Sequence, residues 1–179
     1  MNGGWLVVGV GNRDRGDDAV GPHVCDRLRA LDGGPEFRSS VCEGSVVDLL
    51  LHWDDDDRVV IVDAIAPGDE PGRIVALDIT HDVTQDATQV MAQAPSAVST
   101  HEVDVSVAIE LARALGRMPA QLLLIGVEAE QLAWGAPLSA RVAAAADEVV
   151  GLLVELIGDG DRAHRLWRPA PSDGIMKAW

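Results

Sequence analysis

Residues 5 to 21 read W-L-V-V-G-V-G-N-R-D-R-G-D-D-A-V-G. The opening apolar run, 5–10, has the pattern of a strand buried on both faces. The glycines that follow allow a sharp turn. Over residues 17–31, Val20, Val24, Leu28 and Leu31 recur at helical spacing. Asp17 and Asp18 suit the first turn of that helix, at the positive end of its dipole. A strand, a glycine loop and a helix in this order open an α/β fold and set the loop at the carboxyl edge of a sheet.

Strand and helix patterns continue to alternate. Gly33-Gly34-Pro35 stops the first helix, and 37–42 reads as a weaker strand. A short helix over 46–52 leads to the run Asp54 to Asp57, which reads as a solvated turn. Val59-Val60-Ile61-Val62 is the strongest buried-strand pattern and ends at Asp63. After a turn bracketed by Pro67-Gly68 and Pro71-Gly72, residues 73–78 form another strand. The connection is too short for a helical crossover, so this strand is expected to run antiparallel to its predecessor. Residues 79–98 read as a long loop. A helix over 102–115, with Val103, Val107 and Leu111 on one stripe, ends at Gly116 and Pro119. A strand at 121–127 and a helix over 138–157, with Ser139 as N-cap, complete the pattern. The whole predicts one domain, 1–157, built as a three-layer α/β/α sandwich, and a loosely ordered tail at 158–179.

Composition narrows the functions. The 179-residue chain carries a formal net charge of −15. That argues against nucleic acid and anionic membrane as partners, which need basic surface. It leaves either plain solubility or a negative site for a cation or a basic peptide. Cys25 and Cys42 lie far apart and outside any C-x-x-C pattern, so they fit buried free thiols in a reducing cytoplasm. The N-terminus lacks the basic region of a signal peptide, and no apolar stretch has membrane-spanning length.

The glycine loop invites a phosphate reading and then refuses it. Gly9 and Gly11 match the start of G-x-G-x-x-G, but Asp14 holds the third glycine position. Gly11 and Gly16 have P-loop spacing, but Asp17 and Asp18 replace the lysine and the hydroxyl. Two carboxylates repel a phosphate at a helix N-terminus. They fit structural roles at the dipole, or a cation. In the expected sheet, Asp18, Asp63 and His101 (from S-T-H at 99–101) share one rim. Two carboxylates and an imidazole suit a borderline divalent ion such as nickel or zinc. Asp17 competes with Asp18 for the ligand role. Asn12 is expected to shape the loop by side-chain hydrogen bonding, and Glu128, near the end of the last strand, to hold a basic substrate residue. His23, His52, His81 and His164 read as ordinary surface or core residues.

G-V-G-N at 9–12, D-D-A-V-G at 17–21, V-I-V-D-A at 60–64 and S-T-H at 99–101 resemble the hydrogenase maturation proteases. I-G-V-E-A-E-Q-L followed by G-A-P-L-S at 135–139 is similar to that family's last strand and the start of its last helix. The resemblance runs in order from about residue 5 to 157. It implies a mixed five-stranded, phosphorylase/hydrolase-like sheet with one antiparallel strand. It implies an endopeptidase that trims the C-terminal extension from the large-subunit precursor of a nickel-iron hydrogenase. Asp18, Asp63 and His101 would serve as catalytic and metal-site residues that recognise nickel already inserted in the precursor. Another divalent ion, such as zinc or cadmium, is expected to fit the same site in crystals. A cytoplasmic monomer is expected. Here Asp18 stands where the family often has glutamate, and Ala129 stands where it often has proline. The H-E-x-x-H zinc motif is absent, since His101-Glu102 lacks the second histidine. A water activated by carboxylate or metal is therefore the expected nucleophile. Two other readings remain open on these residues: a non-catalytic nickel-binding chaperone or recognition module, and a flavodoxin-like or nucleotide-binding protein.

Overall fold

The computed structural model describes residues 4–43, 46–55, 57–80 and 105–158. Along them run β1 (Trp5–Val10), a 3-10 turn (Gly16–Ala19), α1 (Val20–Arg29), β2 (Arg38–Cys42), α2 (Val46–Leu50), β3 (Arg58–Ile65), β4 (Ile74–Asp78), α3 (Val105–Ala114), β5 (Gln121–Glu128) and α4 (Ala140–Gly158). One five-stranded sheet has the order β2-β1-β3-β5-β4. The first four strands run parallel, and β4 is antiparallel to β5.

Side-chain alternation along the strands builds two cores. Val60, Val62 and Ala64 of β3 join Val20, Val24 and Leu28 of α1 and Val149 and Leu153 of α4. Val59 and Ile61 join Leu49 and Leu50 of α2 and Val105, Ala108, Ile109 and Ala112 of α3. The expected three layers follow: α1 and α4, the sheet, α2 and α3. Each fully buried Val, Leu or Ile contributes about 1.5–3 kcal/mol, which is why the central strands are almost wholly apolar. Trp53 closes the α2 side, donating its buried Nε1–H to the Arg117 carbonyl at 2.9 Å beyond the end of α3.

Several expectations are corrected. The helix expected over 17–31 is a 3-10 turn and then α1, because Asp17 and Asp18 are turned inward and buried. β3 continues two residues past Asp63, to Ile65. β4 does run opposite to β3, but it pairs with β5, which lies between them. α3 buries Val105, Ala108, Ile109 and Ala112, so the expected stripe had the wrong phase, and Val107 is 48% exposed. Asp57 does not lie in a solvated turn. It is buried, accepts the Asp54 N–H at 2.9 Å and pairs with the Arg38 guanidinium. Ser139 does cap α4, accepting the Val142 N–H at 3.4 Å. Cys25 and Cys42 are buried, and neither is in a disulfide. His101 and the motif around it, most of the expected loop at 79–98, His81, His164 and the expected tail after Gly158 lie outside the described residues.

Candidate active site

The strand order puts a topological switch between β1 and β3. The chain leaves β1 for β2 on one side, and β3 lies on the other. Ligands of open α/β sheets bind at the carboxyl ends of such a pair. Asp18 sits on the turn after β1, and Asp63 lies in β3, one position beyond the Gly9–Val62 pairing with β1. The structure thus brings both predicted carboxylates to the switch point, with side chains 0% and 4% exposed. Asp63 alternates with Val60 and Val62, so it belongs to the face covered by α2 and α3. Val105, the first described residue of α3, follows His101 by four positions in the chain.

The glycines of the opening loop are there for packing. A Cβ on Gly9 would lie 2.3 Å from the Gly21 carbonyl oxygen. One on Gly21 would lie 2.3 Å from the Val10 oxygen and 2.5 Å from the Val62 oxygen. The start of α1 therefore presses backbone to backbone across β1 and β3. Gly11 combines a φ of 138° with a would-be Cβ 1.9 Å from the Asp18 carbonyl oxygen. These contacts seat the 3-10 turn over the strand ends. The strand-glycine-helix pattern serves to bring Asp18 down onto the sheet, a role that needs no phosphate.

The adjacent aspartates divide the work. Asp17 Oδ2 accepts the N–H groups of Glu130 at 2.8 Å and Gln131 at 2.9 Å, while Oδ1 accepts that of Ser139 at 2.6 Å. Its own N–H donates to the Gln131 carbonyl at 3.0 Å. Asp17 is a clamp between the opening turn and the β5–α4 loop, and its carboxylate oxygens are spent on that. Asp18 Oδ2 accepts the Asn12 N–H at a longer 3.3 Å, with the Arg15 guanidinium 4.0 Å away. Asn12 shapes the loop as expected, its Oδ1 accepting the Asp14 N–H at 2.9 Å.

The role expected of Glu128 is corrected. Glu128 is 1% exposed and does not await a substrate cation. Its carboxylate accepts the Glu70 N–H at 2.7 Å and the Arg73 Nε and Nη2 at 3.0 and 2.9 Å, which fastens the turn before β4. Burial pushes the Cys25 thiol up to about 11, so it is no thiolate nucleophile. His52 Nδ1 meets Ser40 Oγ at 2.8 Å and ties the end of α2 to β2. Among the described residues no group of three or more His, Cys, Asp or Glu side chains is placed to hold a metal ion. The Asp17 clamp had no sequence signal, because its partners are backbone groups more than a hundred positions away.

Comparison with known proteins names the family. Residues 44–156 match the family model described as hydrogenase maturation protease. The hydrogenase expression/formation protein HupD of Bradyrhizobium diazoefficiens is 29% identical over 140 residues, 76% of this chain and 69% of that protein. A hydrogenase 2 maturation peptidase from a Thaumarchaeota archaeon is similar at 28% identity and a TM-score of 0.60, covering 87% of this chain and 98% of the other. The maturating endopeptidase HybD of E. coli shares the fold, with a TM-score of 0.68 at 24% identity over 88% of this chain and 94% of its own. The chain belongs to the hydrogenase maturation protease family, a family of peptidases.

Proposed function

We propose that this peptidase removes the C-terminal extension of a nickel-iron hydrogenase large-subunit precursor once nickel is in place. In this reading Asp18, Asp63 and His101 ligate the precursor's nickel and so hold the extension beside them. The observation that carries it is Asp63. A central parallel strand of Val, Ile and Ala gives a buried position to a carboxylate, at the switch point and on the same edge as buried Asp18. Burying charge there is costly for folding and is rewarded when a cation arrives.

Nickel here is part of the substrate. Two carboxylates and an imidazole neutralise and orient it, which makes an empty precursor a poor ligand. Hydrolysis then requires a water that loses a proton as it attacks the scissile carbonyl, and a proton returned to the leaving amine. In this reading a buried carboxylate beside the docked metal accepts and returns that proton. Buried Cys25 and Cys42, neither in a disulfide, suit a reducing cytoplasm. We take the working form to be a monomer. Among the described residues no helix is long and apolar enough to cross a membrane.

The test incubates the protein with nickel-loaded and metal-free precursor and reads product mass. Truncation of the loaded form alone is expected, and His101→Ala should abolish it while the circular dichroism spectrum persists. Binding of loaded precursor without truncation would leave a nickel-recognition chaperone instead. Wild-type rates in the His101 variant would remove that residue from the mechanism.

A further inference from the structure

The β5–α4 loop is laid directly against the turn that carries Asp18. Besides the three N–H groups held by Asp17, the Gly135 N–H donates to the Asp14 carbonyl at 2.6 Å. Gln131 braces the loop from within: its Nε2 donates to the Pro137 carbonyl at 2.9 Å and its Oε1 accepts the Ala133 N–H at 3.2 Å. The Ala136 N–H to Ala133 carbonyl bond, 3.2 Å, closes a β-turn whose third residue, Gly135, has a φ of 74°. That is the φ a type II turn requires at this position.

Trp134 stands at the corner of this braced turn, 72% exposed, the most exposed large apolar side chain among the described residues. The surrounding stretch, Q-L-A-W-G-A-P-L-S-A at 131–140, has no charge in a chain of net charge −15. A loose surface loop would let an indole fold back onto apolar neighbours. Here the turn geometry and the Asp14 and Asp17 bonds hold it outward. An ordered, exposed tryptophan on an uncharged loop is the residue type and setting of a protein-binding hot spot.

We propose that Trp134 is a docking residue for the protein substrate. It seats in an apolar depression on the folded precursor and fixes where the extension falls relative to Asp18 and Asp63. The occupant is the precursor itself, because the loop is continuous, through Asp17 and Gly16, with the turn that bears Asp18. This rests on the processing function proposed above and adds a specificity-determining contact outside the metal site.

The test measures steady-state cleavage of nickel-loaded precursor and, separately, binding of labelled precursor by fluorescence anisotropy. Trp134→Ala should raise KM and the dissociation constant about tenfold or more, with a much smaller change in kcat. Trp134→Phe should recover most of the loss. Thermal unfolding should match wild type, because the side chain is already in water. Unchanged KM and binding in Trp134→Ala would overturn the proposal. So would a loss confined to kcat, or a dimer of the free protein that Trp134→Ala dissociates. If the wild type binds precursor through Trp134 but does not cut it, the docking assignment stands and the processing reading fails. If the wild type binds no precursor, both fall.

Discussion

The two ends of β3 each bury an aspartate at 4% exposure, and the two are built differently. At the amino end Asp57 has a cation beside it, the Arg38 guanidinium from β2, and a backbone donor in the Asp54 N–H. At the carboxyl end Asp63 shares the edge with Asp17 and Asp18, which are also buried. The Arg15 guanidinium lies 4.0 Å from Asp18. The amino end resembles an ordinary structural ion pair. The carboxyl end gathers negative charge where the fold class binds ligands. The difference teaches that burial of a carboxylate is not itself a sign of function; the sheet edge it lies on and the company it keeps are.

The sharpest way to break that comparison is to exchange carboxylate for amide at both ends. Asp63→Asn and Asp18→Asn should each lower cleavage of nickel-loaded precursor by about 100-fold or more, the scale of a lost acid-base or metal-binding group. Their circular dichroism spectra should match wild type, so that the loss is one of activity and not of fold. Asp57→Asn should do the reverse, melting earlier and cutting at wild-type rates. If Asp63→Asn keeps full activity, the carboxyl end is as structural as the amino end.

The second effect concerns the neighbour of Asp18. Asp17→Ala deletes an acceptor of three short N–H bonds and leaves those donors in a part-buried site. Charged acceptors of this kind are worth about 1.5–3 kcal/mol each before losses are shared or water enters. A net cost of about 3 kcal/mol is expected, roughly 6–12 °C in Tm for a chain of this size. Differential scanning calorimetry reads it. A shift under about 2 °C would show that the loop holds to the opening turn without the clamp.

These cases also mark what the sequence could show. Val59 to Val62 and Leu122 to Val127 are continuous apolar runs, and strands buried on both faces were legible in them. The strand-loop-helix order put Asp17, Asp18 and Asp63 on one rim of the sheet, but the choice of Asp18 over Asp17 came from the family resemblance. The lateral place of β4 did not, because β5 enters between it and β3 from more than forty residues later. The α3 stripe was misphased because Val105, Val107, Ala108, Ile109 and Leu111 are apolar on nearly every side. Asp57 and Glu128 were misread for one shared reason. Each is neutralised by an arginine from another strand or turn, Arg38 or Arg73, and no local pattern announces such a partner. Trp134 was equally hidden, since an aromatic in a loop reads the same whether it is buried or held out.

The smallest effect is the pH dependence of the amino end. Burial works against ionisation of Asp57, but the Asp54 backbone N–H and the Arg38 guanidinium outweigh it and hold the carboxyl below its ordinary value. A group whose folded pKa is depressed stabilises the fold above its unfolded pKa. That contribution fades as pH falls through the folded value. The window therefore opens at about pH 4 and extends downward. Arg38 is half exposed, so water and salt screen its share of the interaction. Arg38→Met should cost about 1 kcal/mol or less at neutral pH. It should also flatten the loss of stability between about pH 4 and pH 2 relative to wild type, because less favourable pairing remains to be titrated away. Urea unfolding across that range gives the slopes. Parallel slopes for wild type and variant would assign the depressed Asp57 pKa to the Asp54 N–H alone and remove the ion pair from the amino end of the comparison.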